Sequence, residues 1–153
     1  MSKLLKKKVV LITGAGQGIG FECAKAYAAE GAKVAVADIN ASAAKETAAS
    51  LGSDVLAIQC DVGKSASVEA MVASVLGEFG RIDVVHNNAG IANPSKPLHE
   101  TSEEEWDDLH RVNLKSVYLT TRFAFDALVE SKGNILNTAS LVGQIGPANH
   151  AAY

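Results

Sequence analysis

Residues 13 to 20 read Thr-Gly-Ala-Gly-Gln-Gly-Ile-Gly and directly follow a short apolar run at 9–12. The run is rich in β-branched residues and stops at glycine, which predicts a strand buried on both faces. After the glycines, apolar residues recur at helical spacing up to Gly31, a residue well suited to a helix C-cap. This order of strand, glycine turn and helix predicts a phosphate-binding turn, because a helix N-terminus offers unpaired N–H groups and a positive dipole end.

The glycines depart from the usual G-x-G-x-x-G pattern, because no glycine stands three residues after the second one of the stretch. The positions expected to matter are Gly14, Gly18 and Gly20, where a missing side chain lets the backbone approach a pyrophosphate closely. A second apolar run at 34–37 ends at Asp38, eighteen residues after the last of these glycines. A carboxylate at this place in a βαβ unit is expected to accept hydrogen bonds from the ribose hydroxyls of a dinucleotide.

The remainder of the chain continues the alternation of strand and helix. Strands are predicted at 55–60, 82–86 and 135–139, helices at 41–51, 67–79 and 102–132, and loops at 91–100 and 140–153. Two overlapping capping boxes, Thr101 with Glu104 and Ser102 with Glu105, both fit the start of the last helix. The alternation predicts one α/β domain over residues 1–153, a Rossmann-like doubly wound parallel sheet of about five strands.

Polar residues follow the carboxyl ends of these predicted strands. Besides the glycine turn and Asp38, they are Asp61, the segment 87–90 and Ser140. Ligands of such sheets lie beyond the carboxyl ends of the strands, near the point where the strand order reverses. These five separate segments are therefore expected to meet at one edge of the sheet.

Composition and charge exclude several classes of protein. The chain has 153 residues and a net charge of −3, which gives no electrostatic reason to expect a nucleic-acid partner. Lys3 and the lysines at 6–8 are interpreted as a solvated lead-in to the first strand, and no apolar stretch reaches transmembrane length. Cys23 and Cys60 are predicted to be buried, reduced thiols, which favours a cytoplasmic protein.

The acidic residues and histidines give no prediction of a metal site. Acids at 103–105 fall in the first turn of a predicted helix, where they favour the helix dipole. His86, His99, His110 and His150 are scattered without metal-ligand spacing and are interpreted as packed or solvated. A place for His150 at the mouth of a substrate pocket is a weaker alternative.

Taken together, the motifs resemble those of the short-chain dehydrogenase/reductase family. The resemblance covers the whole chain and is carried by the glycine stretch 13–20, Asp61-Val62, Asn87-Asn88-Ala89-Gly90, Asn113 with Ser116, and Ser140 thirteen residues before Tyr153. It implies cofactor contacts from Gly14, Gln17, Gly18, Ile19, Gly20, Asp38, Asp61, Val62, Asn87, Asn88, Ala89 and Gly90. It also implies catalysis by Asn113, Ser140 and Tyr153 in a nicotinamide-dependent oxidoreductase that interconverts a secondary alcohol and a ketone.

The residue types suit these implied roles. A phenol such as that of Tyr153 can act as general acid or base on the reacting oxygen, provided that positive charge stabilises its phenolate. Ser140 can hydrogen-bond and orient the same oxygen, and Asn113 is expected to hold a water molecule that relays protons. NAD is expected rather than NADP, because Asp38 would repel a 2′-phosphate and neither Gln17 nor the residue after Asp38 is basic.

One departure from the family pattern concerns the end of the chain. Members of the family carry a lysine four residues after the tyrosine and then further strands and helices, whereas this sequence stops at Tyr153. The chain is therefore expected to be the N-terminal part of a homo-oligomeric enzyme, with turnover near background by itself. The strand at 135–139 and apolar helix positions at Val117, Phe123 and Leu128 are expected to be partly uncovered and to promote association.

Two other functions remain open from the residues. A nucleotide-binding module without catalysis would result if the missing lysine and later elements are essential. A methyltransferase with a similar first βαβ unit would account for the glycine turn and Asp38, but it would leave Ser140, Tyr153 and 87–90 unexplained.

Overall fold

The computed structural model describes residues 3–92 and 95–153, and it is built around a five-stranded parallel sheet. The strands lie in the order β3-β2-β1-β4-β5, and every neighbouring pair runs parallel. Their bounds are Val9–Thr13 (β1), Lys33–Asp38 (β2), Val55–Gln59 (β3), Val84–Asn87 (β4) and Asn134–Asn137 (β5). The predicted Rossmann-like parallel sheet is confirmed. Because β1 pairs with both β2 and β4, the strand order reverses beside β1.

Helices connect the strands as crossovers, and one further short helix follows β5. Their bounds are Gly18–Ala29 (α1), Ala41–Leu51 (α2), Ser65–Phe79 (α3), Glu103–His110 (α4), Ser116–Ser131 (α5) and Val142–Ile145 (α6), with a 3₁₀ turn at Leu98–Glu100 and a π-helical turn at Arg111–Lys115. Within the described residues, no helix is both long and apolar enough to cross a membrane.

Two apolar layers lie on opposite faces of the sheet. Ile12 of β1 packs on one face with Ala24 of α1, whereas Leu11 packs on the other with Val75 of α3 and Leu119 of α5. Both β1 side chains are fully buried. Covering of both faces explains why β1 is an uninterrupted apolar run rather than an alternating one.

The structure corrects the predicted helix bounds. The helix expected over 102–132 is interrupted by the π-helical turn, and the helix expected at 67–79 begins two residues earlier. The loop expected after β5 contains α6, and the loop expected at 91–100 contains the 3₁₀ turn; residues 93 and 94 lie outside the described residues. Of the two capping boxes, the structure contains the one that joins Ser102 and Glu105.

The bounds of two strands and the environment of one lysine also differ from the predictions. The fourth strand was expected at 82–86, but pairing with β1 starts at Val84, and β5 ends before Thr138. Asp83, which was expected within the fourth strand, precedes it. Its carboxylate accepts hydrogen bonds from the Val9 N–H (3.0 Å) and the Lys8 ammonium (2.9 Å). Lys8 is therefore an ion-pair partner of a buried carboxylate rather than a purely solvated residue.

The apolar side chains that α5 leaves uncovered match the predicted ones only in part. Val117 and Phe123 are partly uncovered as predicted, whereas Leu128 is buried. The side chains exposed along this helical segment are Leu114, Tyr118, Phe125 and Val129. Helical spacing alone allowed either stripe, and contact with α3 and the sheet decides which one faces the core.

Both cysteines are free thiols. Cys60 is buried as predicted, and this burial raises the pKa of its thiol. Cys23 is only partly buried, so the prediction of a buried thiol there was wrong.

Candidate functional site

A groove of about 750 Å³ lies at the carboxyl edge of the sheet, beside the point where the strand order reverses. It brings together most of the residues singled out from the sequence. These are Gly14, Gln17, Gly18, Ile19, Gly20, Asp38, Asp61, Val62, Asn88, Ala89, Gly90, Ser140 and Tyr153. The expectation that separate segments meet at one edge of the sheet is confirmed.

The glycine turn after β1 is packed too tightly for side chains at three positions, of which Gly14 would bring a Cβ atom to 2.8 Å from the Cα of Ala89. A Cβ atom on Gly20 would overlap the carbonyl oxygen of Gly14. A Cβ on Gly16 would lie 2.8 Å from Oδ2 of Asp38 and from the Cβ of Ala43, so this glycine is required for space although it was not among the positions expected to matter. The turn is therefore shaped by Gly16 as well as by the predicted glycines.

Asp38, at the end of β2, braces the glycine turn. Its Oδ2 accepts a hydrogen bond from the Gly16 N–H at 2.8 Å, and its Oδ1 accepts one from the Asn40 N–H at 2.9 Å. Each carboxylate oxygen keeps a further lone pair that could accept a hydrogen bond from a ligand. The carboxylate thus has a structural role that its spacing in the sequence did not reveal.

Thr13 and Asn88 join the turn after β1 to the segment after β4. The Thr13 hydroxyl accepts hydrogen bonds from the backbone N–H groups of Asn88 (3.2 Å) and Ala89 (3.1 Å). In return, the Asn88 amide donates to the carbonyl oxygens of Thr13 (3.0 Å) and Gly14 (3.1 Å). Thr13 was missed as a site residue; its hydroxyl at the end of an otherwise apolar strand was the available signal.

Asn87 does not line the groove. It is buried, its Oδ1 accepts from the Thr120 hydroxyl at 2.7 Å, and its amide nitrogen donates to Oδ1 of Asn137 at 2.8 Å. The asparagine therefore ties β4 to α5 and β5. Its side chain supports the groove wall from behind, and its contact with a cofactor stays a prediction.

Asn113 lies in the π-helical turn and also does not line the groove. Its Oδ1 accepts from the Ile91 N–H, and its amide nitrogen donates to the Ile91 carbonyl, both at 2.8 Å. This two-point clamp fixes the chain directly after Gly90. The extra residue in a π-helical turn alters the direction of the side chains there, which helical periodicity could not predict.

Asp61 is surrounded by donors and cations. Partial burial raises the pKa of its carboxyl, but the Gly63 N–H (3.0 Å), Lys64 (3.2 Å) and Arg111 (3.3 Å) together bring this pKa below its usual range. The side chain therefore stays ionised and can only accept hydrogen bonds. Arg111 also lines the groove and was not singled out from the sequence.

Ser140 and Tyr153 both line the groove, on the side reached after β5. The Ser140 hydroxyl accepts from the Val142 N–H at 3.2 Å, at the start of α6. The Tyr153 side chain is 47% exposed, and its backbone N–H donates to the His150 carbonyl. The ring of His150 is within 2.8 Å of the Ser95 hydroxyl, so this histidine joins two loops beside the groove.

In the part of the chain that the structure describes, no three His, Cys, Asp or Glu side chains form a group that could hold a metal ion. The polar lining of the groove includes instead the backbone of the glycine turn, single carboxylates, the Arg111 guanidinium, the amides of Gln17 and Asn88, and the hydroxyls of Thr138, Ser140 and Tyr153. Such a lining can bind phosphate groups at the glycine turn and polarise an oxygen atom of a small molecule that lies near the hydroxyls.

Known proteins share this architecture. A family model for short chain dehydrogenases matches residues 8–153. D-threitol dehydrogenase from Mycolicibacterium smegmatis is 40% identical over 153 residues, covering 97% of this chain and 58% of that protein. The NADH complex of 3-ketoacyl-(acyl-carrier-protein) reductase from Brucella melitensis has a TM-score of 0.94 and 39% identity, covering 97% of this chain and 64% of that one.

A second solved structure, NAD+-bound xylitol dehydrogenase, has a TM-score of 0.93 and 33% identity, covering 99% of this chain and 60% of that one. The chain spans 58–60% of the length of several curated relatives that it matches. The match nevertheless extends over nearly all of the present residues and includes every strand described above. The chain therefore belongs to the short-chain dehydrogenase/reductase family.

Proposed function

We propose that residues 1–153 form the dinucleotide-binding domain of a cytoplasmic, NAD-dependent oxidoreductase that interconverts a secondary alcohol and its ketone. The observation that carries this proposal is a single groove shared by the glycine turn, Asp38, Ser140 and Tyr153. The solved relatives with NADH or NAD+ bound support the cofactor class. The named dehydrogenases and reductases among the relatives support the type of reaction.

The residues of the groove fit a nicotinamide dinucleotide. The amides of α1 begin at the glycine turn, and a Cβ atom on Gly20 would intrude on that turn. The turn would hold the pyrophosphate, Asp38 would accept hydrogen bonds from a ribose, and Asp61 with Val62 would contact the adenine half. The bound nicotinamide would supply or accept the hydride.

The remaining chemistry is proton transfer at the substrate oxygen. For alcohol oxidation, Tyr153 as phenolate would take the hydroxyl proton while Ser140 donates a hydrogen bond to the same oxygen. Asn113 would act at a distance, because it clamps the chain directly after Gly90, and Asn88 would hold the glycine turn from the groove wall. The residues of the site would thus have three roles: some bind the dinucleotide, some transfer a proton or orient the substrate oxygen, and some keep the groove in shape.

Two measurements on the purified chain test the function. NADH binding is followed by fluorescence, and turnover is measured with NAD+ over a panel of secondary alcohols that includes polyols. Binding together with alcohol-dependent NADH formation supports the oxidoreductase. Binding without turnover of any alcohol, both by this chain and by a longer form that contains it, favours the non-catalytic nucleotide-binding module, and no binding of NADH contradicts the proposal.

We expect Asp38 to select NAD over NADP. In the Asp38→Ala variant, NADH affinity should fall by about tenfold, because a hydrogen bond to a ribose and the brace on Gly16 are both lost. NADPH affinity should fall less or rise, since repulsion of the 2′-phosphate is also removed. Asp54→Ala removes an exposed carboxylate outside the groove and is the matched control. Unmutated protein that binds NADPH as tightly as NADH would contradict this assignment.

We further propose that the protein is a homo-oligomer and that its exposed helical face binds a second copy. A shallow groove of about 980 Å³ runs along this face past Leu114, Tyr118 and Phe125. Lys115 lies towards one end of the face and Asp126 towards the other. An antiparallel second copy would bring these opposite charges together while it covers the apolar side chains.

We therefore expect association of the chain at tens of micromolar. Light scattering should give a mass above that of one chain, and Phe125→Lys should shift it towards the monomer. Leu136→Lys is the matched variant at the free edge of β5, where Leu136 is 47% exposed. A monomeric unmutated chain would contradict the proposal, and dissociation by Leu136→Lys alone would place the contact at the strand edge.

A further inference from the structure

His86 is a buried titratable residue that the proposed chemistry does not use. It lies in β4, is 3% exposed, and has a hydrogen-bond partner at each ring nitrogen. Nδ1 is 3.0 Å from the Tyr27 hydroxyl of α1, and Nε2 is 3.0 Å from the Thr138 hydroxyl just beyond β5. The ring therefore bridges the helix that begins at the glycine turn and the segment that leads to Ser140.

The direction of these hydrogen bonds can be derived from Asn88. Its amide nitrogen donates to the carbonyl oxygens of Thr13 and Gly14, which places Oδ1 on the side of Thr138. The Thr138 hydroxyl lies 3.2 Å from that Oδ1. An amide oxygen can only accept, so the Thr138 hydroxyl must donate its single hydrogen there.

The tautomer of the imidazole follows from this donation. Since the Thr138 hydroxyl has donated its hydrogen to Asn88, its oxygen accepts from His86, and Nε2 must carry a proton. The neutral ring then has a bare Nδ1, which accepts from the Tyr27 hydroxyl. Burial lowers the pKa of His86 and raises that of Tyr27, which keeps the ring neutral and the phenol protonated.

We propose that His86 is a positioning residue for the dinucleotide groove, holding Thr138 so that its hydroxyl keeps Asn88 against the glycine turn. This inference rests on the proposed function, because it assigns the turn to the pyrophosphate of NAD. Thr138 stands two residues before Ser140, and the Asn88 amide contacts Gly14 directly. One imidazole thus sets the spacing between the turn and the segment that carries Ser140.

Two substitutions with side chains of nearly equal length and volume distinguish the hydrogen bond that His86 donates to Thr138 from the space that its ring fills. In His86→Gln the side-chain amide reaches the place of Nε2 and can donate to Thr138, whereas in His86→Met nothing can donate. We expect the Gln variant to bind NADH within about threefold of the unmutated chain and the Met variant to bind at least about tenfold more weakly. Equal affinities of the two variants would overturn the role of His86 and leave the proposed function intact.

The tautomer gives a second readout that needs no variant. In a nitrogen-15 spectrum of the imidazole groups at neutral pH, His86 should carry its proton on Nε2 and have a bare Nδ1. A proton on Nδ1, or a doubly protonated ring, would overturn the proposal even if both variants failed to fold. An unmutated chain that does not bind NADH would overturn the proposed function, and this role of His86 with it.

Discussion

Replacement of Tyr153 by phenylalanine should lower alcohol turnover by about 10²–10⁴-fold while leaving NADH affinity within about twofold. The variant loses only the hydroxyl, which is the group proposed to exchange a proton with the reacting oxygen. The glycine turn and Asp38, proposed to hold the cofactor, lie after β1 and at the end of β2, in segments far from Tyr153 in the sequence. Steady-state turnover and NADH fluorescence titration measure the two quantities separately, in whichever form of the protein turns over the alcohol, this chain or a longer one containing it.

The Ser140→Ala variant provides the comparison for Tyr153→Phe. Because both hydroxyls are proposed to act on one oxygen, the double variant should lose less turnover than the product of the two single losses. Tyr153→Phe protein that retains ordinary turnover would rule out the phenol as the acid or base. Equal losses of NADH affinity and turnover would indicate a disturbed groove instead of a missing proton carrier.

Asp83→Ala should lower the free energy of unfolding by about 3 kcal/mol, because it removes one partner of a buried ion pair. The carboxylate is 2% exposed and binds Arg81 through two hydrogen bonds, at 2.7 and 2.8 Å, as well as Lys8 and the Val9 N–H. Its loss leaves the buried Val9 N–H without this acceptor. The two cations are nearly half exposed and can be solvated, which limits the effect.

Denaturant unfolding of Asp83→Ala beside Glu69→Ala, an exposed carboxylate on α3, measures this effect. The control should change the free energy of unfolding by less than about 0.5 kcal/mol. Equal values for the two variants would show that the buried carboxylate contributes nothing to stability.

The contribution of Asp83 should also depend on pH in a defined direction. Burial raises the pKa of this carboxyl, but hydrogen bonds from Arg81, Lys8 and the Val9 N–H lower it to below the usual value. A folded-state pKa below the unfolded value of about 3.9 means that the stabilisation is fully present above that pH. It is lost as the pH falls through the folded pKa, so the stability of the Asp83→Ala variant should decline less steeply in acid.

Local sequence signals determined the order of elements and the edge of the sheet that carries the groove. One signal is the strand before Gly14, which is apolar throughout because both of its faces are buried. The other is the polar residues that follow each later strand, where ligands of parallel sheets bind. Parallel strands place all their carboxyl ends at one edge, so Asp38, Asp61 and Ser140 could be assigned to one site without knowledge of any contact.

Only the tertiary structure decided which residues face the groove and which hold it in place. Asn87 and Asn88 are adjacent and chemically identical, yet only Asn88 lines the groove, because successive residues at the end of a strand point in opposite directions. The hydrogen bonds of Asn113 and the bridge through His86 depend on partners 22 to 59 residues away in the chain. Such long-range hydrogen bonds leave no periodic pattern in the sequence, since their geometry exists only once the sheet has formed.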